Sequence, residues 1–394
     1  MESTSCTISR NLSTGSRDMK FTIEQSKLVD VVNWVSRSLS TRPIQTALLG
    51  IVIDADGNKV VLSGSDLETA SRASTDADVA TPGKVLVPGK LLADISRSLP
   101  NKPVTIQLDG TRVLVNAGSA KFTLPVLPIA EYPNLPDMPE TLGTIDADVF
   151  SHAVAQVSTA AGKDDSLPSL TGVHVEVNGE NITMAATDRY RLAVREVTFN
   201  PARPNTEAVA LVRARTLNDA AKTLATSKNV NIALAPASSN DRLAGFQTET
   251  KSTTTRLLDG TFPPYRHLLP QESLTTTVIE VAPFLDAVRR VALVTDKTIP
   301  LKLTFSGNTV TLEAGGGDEA QANEVFEIQK TGEDLSIAFN PNYLLDGLHA
   351  ISAPYAQISF NTASKAAILM GKPDANAAAV ENFRYLLMPT KFAY

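Results

Sequence analysis

The chain has 394 residues, of which 43% are hydrophobic and 20% charged, with 21 Gly and 23 Pro, so two or three domains are expected and collagen-like or wholly disordered chains are excluded. At this length about three quarters of the unfolded surface can be buried without a disulfide or structural metal. Against 42 acidic residues stand 36 basic ones, and the net charge of −6 excludes holding nucleic acid by a bulk positive field, though not by a local basic face.

Residues 1–18 are rich in Ser, Thr, Asn and Arg and contain no apolar stretch of signal-peptide length, so they are expected to form a disordered arm. The single cysteine, Cys6, lies in that arm. It permits no intramolecular disulfide or four-thiolate zinc site and points to a reducing compartment. No run approaches 18 consecutive apolar residues, so the expected location is the cytoplasm.

From Ile23 the chain repeats itself. A strand leading into an amphipathic helix is predicted at Ile23–Val35, again at Ile145–Val157 and again at Ile279–Val291, at offsets of 122 and 134. Leu28 becomes Phe150 and then Phe284; Val35 becomes Val157 and then Val291. Hairpin turns at Gly57-Asn58, Gly179-Glu180 and Gly307-Asn308 each precede alternating apolar residues. A second helix follows in every copy, carrying Asp94, Asp219 or Asp346, and each copy closes on a strand with a Pro-containing exit.

This pattern implies an α+β fold of three repeated domains, at 19–139, 140–272 and 273–394, each of about 125 residues with two helices covering antiparallel sheets. Solenoid repeats are far shorter.

Signs of catalysis are missing. His152, His174, His267 and His349 are scattered, without the i,i+4 pairing of a helical metal site. The run Gly315-Gly316-Gly317-Asp318-Glu319-Ala320 formally fits a dinucleotide fingerprint, but an alternating strand at Val325–Ile328 follows instead of a helix, which makes it a hairpin loop. There is no P-loop and no nucleophile elbow. A threefold-repeat binding protein or scaffold without a cofactor is favoured over an enzyme, and a repeat-built hydrolase is the more remote alternative.

Four stretches carry a resemblance: Ala186-Thr187-Asp188-Arg189-Tyr190-Arg191-Leu192-Ala193-Val194, Leu258-Asp259-Gly260-Thr261-Phe262-Pro263-Pro264-Tyr265-Arg266, Phe339-Asn340-Pro341-Asn342-Tyr343 and Tyr385-Leu386-Leu387-Met388-Pro389. Together, and in this order, they resemble the bacterial β sliding clamp family, the processivity subunit of the replicative DNA polymerase, over Met19 to Phe392. The resemblance implies a non-enzymatic head-to-tail homodimer, a six-domain ring around duplex DNA with helices lining the hole.

On that resemblance the DNA-facing residues are Arg37 and Arg42 after the first helix, Lys90 and Arg97 on the second, Lys163 after the third, Arg213, Arg215 and Lys222 at the fourth, and Arg289, Arg290 and Lys297 near the fifth. Arg42 and Lys90 match basic DNA-contacting positions of the family, whereas Pro168 and Ser169 replace aromatic residues found in some members. The family also holds polymerase, clamp loader and repair proteins by short linear peptides in a hydrophobic cleft. The matching positions are Leu170, Thr187, Arg189, Tyr190, Arg191, Leu192, Pro263, His267, Leu268, Leu386, Met388, Pro389 and Thr390. Leu170, Leu192, Leu268 and Met388 are expected to floor the cleft, with Arg191 orienting the peptide's polar groups. Arg189-Tyr190 stands where many members have Gly-His, His267 where some have Arg, and Thr390 where an apolar residue is common.

Overall fold

The computed structural model describes residues 19–40, 44–235, 242–269, 272–295, 300–315 and 320–390. The arm with Cys6, and also Arg42 and Lys297, lie outside the described residues. Six helices carry the repeat: α1 Gln25–Ser36, α2 Gly89–Ser98, α3 Ala147–Ser158, α4 Ala214–Leu224, α5 Val281–Val291 and α6 Pro341–Ile351. They pack in pairs, α1 on α2, α3 on α4 and α5 on α6. Each buries one stripe: α1 inserts Leu28, Val31, Val32 and Val35, and the corresponding Phe150 of α3 and Phe284 of α5 are 2% and 0% exposed.

The second helices start differently according to local sequence. Asn340 caps α6 by accepting from the N–H groups of Asn342 and Tyr343, with Pro341 occupying the first turn, where its missing N–H costs nothing. No side chain caps α2 or α4. Among the first helices, α3 is capped by Asp146.

Every copy contains a tight hairpin whose turn glycine sits in left-handed backbone: Gly57 at φ 58°, Gly179 at 55° and Gly307 at 53°. That conformation suits the right-handed twist of the flanking strands and is costly for other residues. The strands so joined are Gly50–Asp56 with Lys59–Ser65, Gly172–Asn178 with Asn181–Thr187, and Leu301–Ser306 with Thr309–Ala314. Residues Gly316–Glu319 of the glycine run lie outside the described residues; on either side, Thr309–Ala314 pairs antiparallel with Ala322–Glu327, a strand that starts before the expected Val325–Ile328 and ends one residue short of it.

The chain divides into two compact units, one of residues 1–138 and 245–255, the other of 139–244 and 256–394. In the first unit a five-stranded antiparallel sheet runs Asp78–Thr81, Lys20–Ile23, Val104–Asp109, Arg112–Ala117, Ala120–Pro125. Residues 251–255, which belong in sequence to the central copy, pair there with Thr69–Ala73. The indole N–H of Trp34 on α1 donates to the carbonyl of Arg72 on the same strand at 3.0 Å.

In the second unit a nine-stranded sheet is shared by two copies. Four strands of the central copy end on Arg191–Thr198, which pairs antiparallel with the last strand of the third copy, Val380–Leu387, in the register Arg191 to Leu387 through Arg195 to Phe383. Behind this seam lies a buried cluster of Leu192, Val194, Leu211, Leu258, Phe262, Tyr265 and Leu386. A separate four-stranded sheet of the third copy has Ala322–Glu327 at its edge.

Candidate functional site

The seam strands converge on a tight turn between Asn181–Thr187 and Arg191–Thr198. Asp188 Oδ1 accepts from the N–H groups of Tyr190 and Arg191 at 3.0 and 3.1 Å, and Thr187 Oγ1 accepts from Arg189 N–H at 3.1 Å while donating to Arg191 O at 2.6 Å. These bonds hold Arg189 at φ 78°, a left-handed conformation that a non-glycine residue adopts at a cost and that clusters at binding sites. They also leave the side chains of Arg189 and Tyr190 exposed.

Opposite the turn stands the start of α6. Tyr190 stacks on Tyr343 with ring centroids 6.3 Å apart, and the Arg191 guanidinium lies 4.3 Å from the other ring's centre. Between them opens a cleft of about 650 Å³ lined by Leu167, Leu170, Arg189, Tyr190, Asn340 and Tyr343 among others. Its size and mixed lining suit a few peptide side chains.

Arg191 departs from the expected role. Its side chain is only 4% exposed, with Nε donating to Asp188 at 2.9 Å and Nη1 to Asp346 at 2.6 Å and to the Tyr385 hydroxyl at 3.3 Å. Tyr385 in turn donates to the Tyr343 carbonyl at 2.9 Å. Burial alone would disfavour the guanidinium charge, but Tyr385, Asp346 and Asp188 outweigh it and push its pKa further up. Arg191 therefore ties the wall of the cleft together from within; the exposed cation at its rim is Arg189.

The expected apolar floor also separates into layers. Leu170 lines the cleft, whereas Leu192 and Leu386, 1% and 2% exposed, belong to the core beneath it. Leu268 and Met388 are 48% and 40% exposed. Met388 N–H bonds Tyr190 O at 2.9 Å, which fixes the chain just after the last strand beside the turn. Pro263, His267 and Leu268 follow Phe262, whose ring is in the buried cluster, and Pro389 and Thr390 follow Met388; none of these five lines the cleft itself. Asn340, Tyr343 and Asp346 are the residues that sequence reasoning missed, although the Asn340-Pro341 helix cap marks them.

Of the basic residues assigned to DNA, Arg37, Lys90, Arg97, Lys163, Arg215, Lys222, Arg289 and Arg290 are exposed and Arg213 is half-buried. Arg97 pairs with Asp94 at 2.6 Å and Arg289 with Asp286 at 3.1 Å, both within one helical turn. Arg290 instead makes a two-point contact with Glu324 on the third copy's edge strand, at 3.1 and 2.5 Å, which turns it towards the sheet. Lys163, Arg213 and Arg215 come together around a second cavity of about 490 Å³. Among the described residues no group of three or more metal-binding side chains occurs, and no helix is long and apolar enough to cross a membrane.

The family models of the DNA polymerase III β subunit match nearly the whole described chain in order: the N-terminal domain at residues 19–136, the central domain at 144–264 and the C-terminal domain at 266–390. The chain belongs to the β sliding clamp family. It is 48% identical to the β sliding clamp of Streptomyces coelicolor over 375 residues, 95% of this chain and all of that one. It is 46% identical to that of Micrococcus luteus over 306 residues, 78% of this chain and 98% of the relative. Its fold matches the sliding clamp of Bacillus subtilis with a TM-score of 0.86 at 25% identity, and that of Pseudomonas aeruginosa bound to griselimycin with 0.87 at 26%; both cover 95% of this chain and all of the other. Sliding clamps are processivity factors and not enzymes, and this membership supports the three-domain α+β reading over an unrelated repeat scaffold.

Proposed function

We propose that two copies of this clamp, each with domains at 19–139, 140–272 and 273–394, join head to tail around duplex DNA in the cytoplasm. There the ring tethers the replicative polymerase, clamp loader and repair proteins. The observation that carries the ring is a pair of open sheet edges. Inside the chain, the last strand of the third copy pairs with the strand following the hairpin of the central copy. Among the described residues, the corresponding strands with no such partner are Ala120–Pro125, last in the first copy, and Ala322–Glu327, after the hairpin of the third; each ends its sheet.

Their chemistry matches. Phe122 is 36% and Val325 60% exposed, and Lys121 on one edge shares a sheet face with Glu327 on the other once the edges are joined antiparallel. Long exposed edges with apolar side chains are normally avoided unless another strand covers them. A closed ring holds DNA by topology, so contacts to phosphate can stay weak enough for sliding, consistent with a net acidic chain whose exposed lysines and arginines sit on and beside its helices.

The test is loading onto circular nicked DNA by a clamp loader with ATP, followed by cutting the circle. Release on linearisation is expected. Clamp that stays on the linear product is bound directly, and topological linkage is then wrong.

The cleft between the 188–190 turn and α6, extended by Leu268 and Met388, is the proposed seat for the partners' linear peptides. Met388→Ala is expected to weaken peptide binding about tenfold with the dimer intact. Full-strength affinity in that variant removes Met388 from the seat.

A further inference from the structure

Two cavities of the second unit share one wall. Ala161, Gly162 and Lys163 line both the cleft beside Tyr343 and the cavity of Lys163, Arg213 and Arg215. The wall is pinned at its base: Gly162 N–H donates to Leu170 O at 2.8 Å, and Ala214 N–H, at the start of α4, donates to Thr171 O at 3.0 Å. Leu170 lines the cleft and Thr171, the next residue, lines the cationic cavity.

The charges on the two sides are unequal. In the cationic cavity the one lining carboxylate, Asp165, lies 3.4 Å from Arg213, and neither Lys163 nor Arg215 has a carboxylate partner among the described residues. Such a site seeks an anion with several oxygens, and a phosphodiester fits it. On the cleft side, Asp188 and Asp346 are taken by Arg191, and Asp164 accepts from the Ser166 N–H at 2.9 Å. Two cations line the cleft without a carboxylate ion pair among the described residues, Arg189 and Lys163, and of these only Lys163 also lines the cationic cavity. Its exposed ammonium on a flexible four-carbon stem can serve either side but not both at once.

We propose that Lys163 is shared between the two cavities, so that a DNA phosphate held with Arg213 and Arg215 lowers the cleft's affinity for partner peptides carrying an acidic residue. This rests on the cleft being the peptide seat. The coupling is reciprocal, with acidic peptides weakening the phosphate contact by the same factor. Its size is that of one exposed ion pair, roughly twofold to fivefold in Kd.

The experiment uses the full chain and fluorescence anisotropy of a fluorescein-labelled hexapeptide with Leu and Phe anchors and one Asp, beside its Asp→Asn counterpart. Ionic strength is held constant without DNA, with saturating short duplex, and with inorganic phosphate. The Kd of the Asp peptide is expected to rise twofold to fivefold with duplex, and that of the Asn peptide to stay level. Lys163→Ala, at an exposed position, removes the response, and Lys163→Arg keeps it. An unchanged Kd with duplex in the parent protein, or the same rise in Lys163→Ala, overturns the sharing. An equal rise with inorganic phosphate overturns DNA as the ligand. Failure of both peptides to bind without DNA overturns the peptide-seat reading itself, an outcome distinct from loss of coupling.

Discussion

Arg191 and Asp346 are joined by a 2.6 Å hydrogen bond across 155 residues of sequence, which fastens the seam strand of the central copy to α6 of the third. Asp188 closes the other side of the guanidinium at 2.9 Å. Removing Arg191 strands Asp188, which is 13% exposed, and less severely Asp346, which is 46% exposed. Because one partner reaches solvent, the loss is set below the full cost of breaking a buried pair: Arg191→Ala is expected to destabilise the chain by about 2–3 kcal/mol. A urea titration checks this, and Arg191→Lys should recover only part of it, since an ammonium does not reproduce the forked contact. A change under 0.5 kcal/mol in the alanine variant would show that the network does not hold the seam.

Gly347 is the point at which α6 lies on Tyr385. A Cβ placed there meets ring atoms Cδ1 and Cε1 at 2.5 Å, and the ring is fully buried and held by hydrogen bonds at its hydroxyl. Gly347→Ala therefore cannot gain its usual helix-propensity benefit. We expect a loss of about 1–3 kcal/mol, the range for overpacking, in the same titration, and weaker peptide binding because Tyr343 is on the displaced helix. A more stable variant would mean that the ring yields freely.

Two histidines make stability depend on pH. Burial lowers the pKa of His174, stacked 5.1 Å from Phe262, with Glu176 opposing and Arg266 adding to the effect. Burial and then Arg195 lower that of His152. The folded chain thus takes up these protons less readily than the unfolded chain. The associated stability is present above the ordinary value of 6.5 and is lost as pH falls from there through the lower folded values. Unfolding free energy should decline between about pH 7 and pH 5, and the slope should flatten in His152→Gln/His174→Gln. Parallel curves for the two proteins would assign the decline to other groups.

The open edges predict a complementation experiment. Val325→Arg alone and Phe122→Glu alone should each shift sedimentation from dimer to monomer at micromolar concentration, whereas an equal mixture of the two variants should recover one interface, that between the unaltered Phe122 edge of one protomer and the unaltered Val325 edge of the other. Dimers that persist in both single variants would place the interface elsewhere.

The repeat was readable because each copy needs the same local signals: an apolar stripe of helical period from Leu28, Phe150 or Phe284, and a glycine able to hold positive φ at the hairpin. The turn side of the cleft was equally plain, since Thr187 to Arg191 is one continuous stretch. Tyr343 and Asp346 escaped because only the pairing of Arg191–Arg195 with Phe383–Leu387, a long-range event, brings α6 beside that turn. Leu192 and Leu386 were placed in the binding surface because a strand residue's face depends on what covers the sheet. Arg290 was assigned to DNA with its neighbours because nothing local reveals that Glu324, 34 residues on, captures it.

The seam at Arg191–Arg195 has a kinetic corollary for the proposed dimer. Its two strands are held together by the intervening chain, so a transient rupture faces a partner at millimolar effective concentration and heals at once. The edges Ala120–Pro125 and Ala322–Glu327 face only as much partner as the cell supplies. Dilution, or a machine that traps the parted state, therefore acts on the intermolecular joint alone: tethering, more than any difference in bonding, makes that joint the gate.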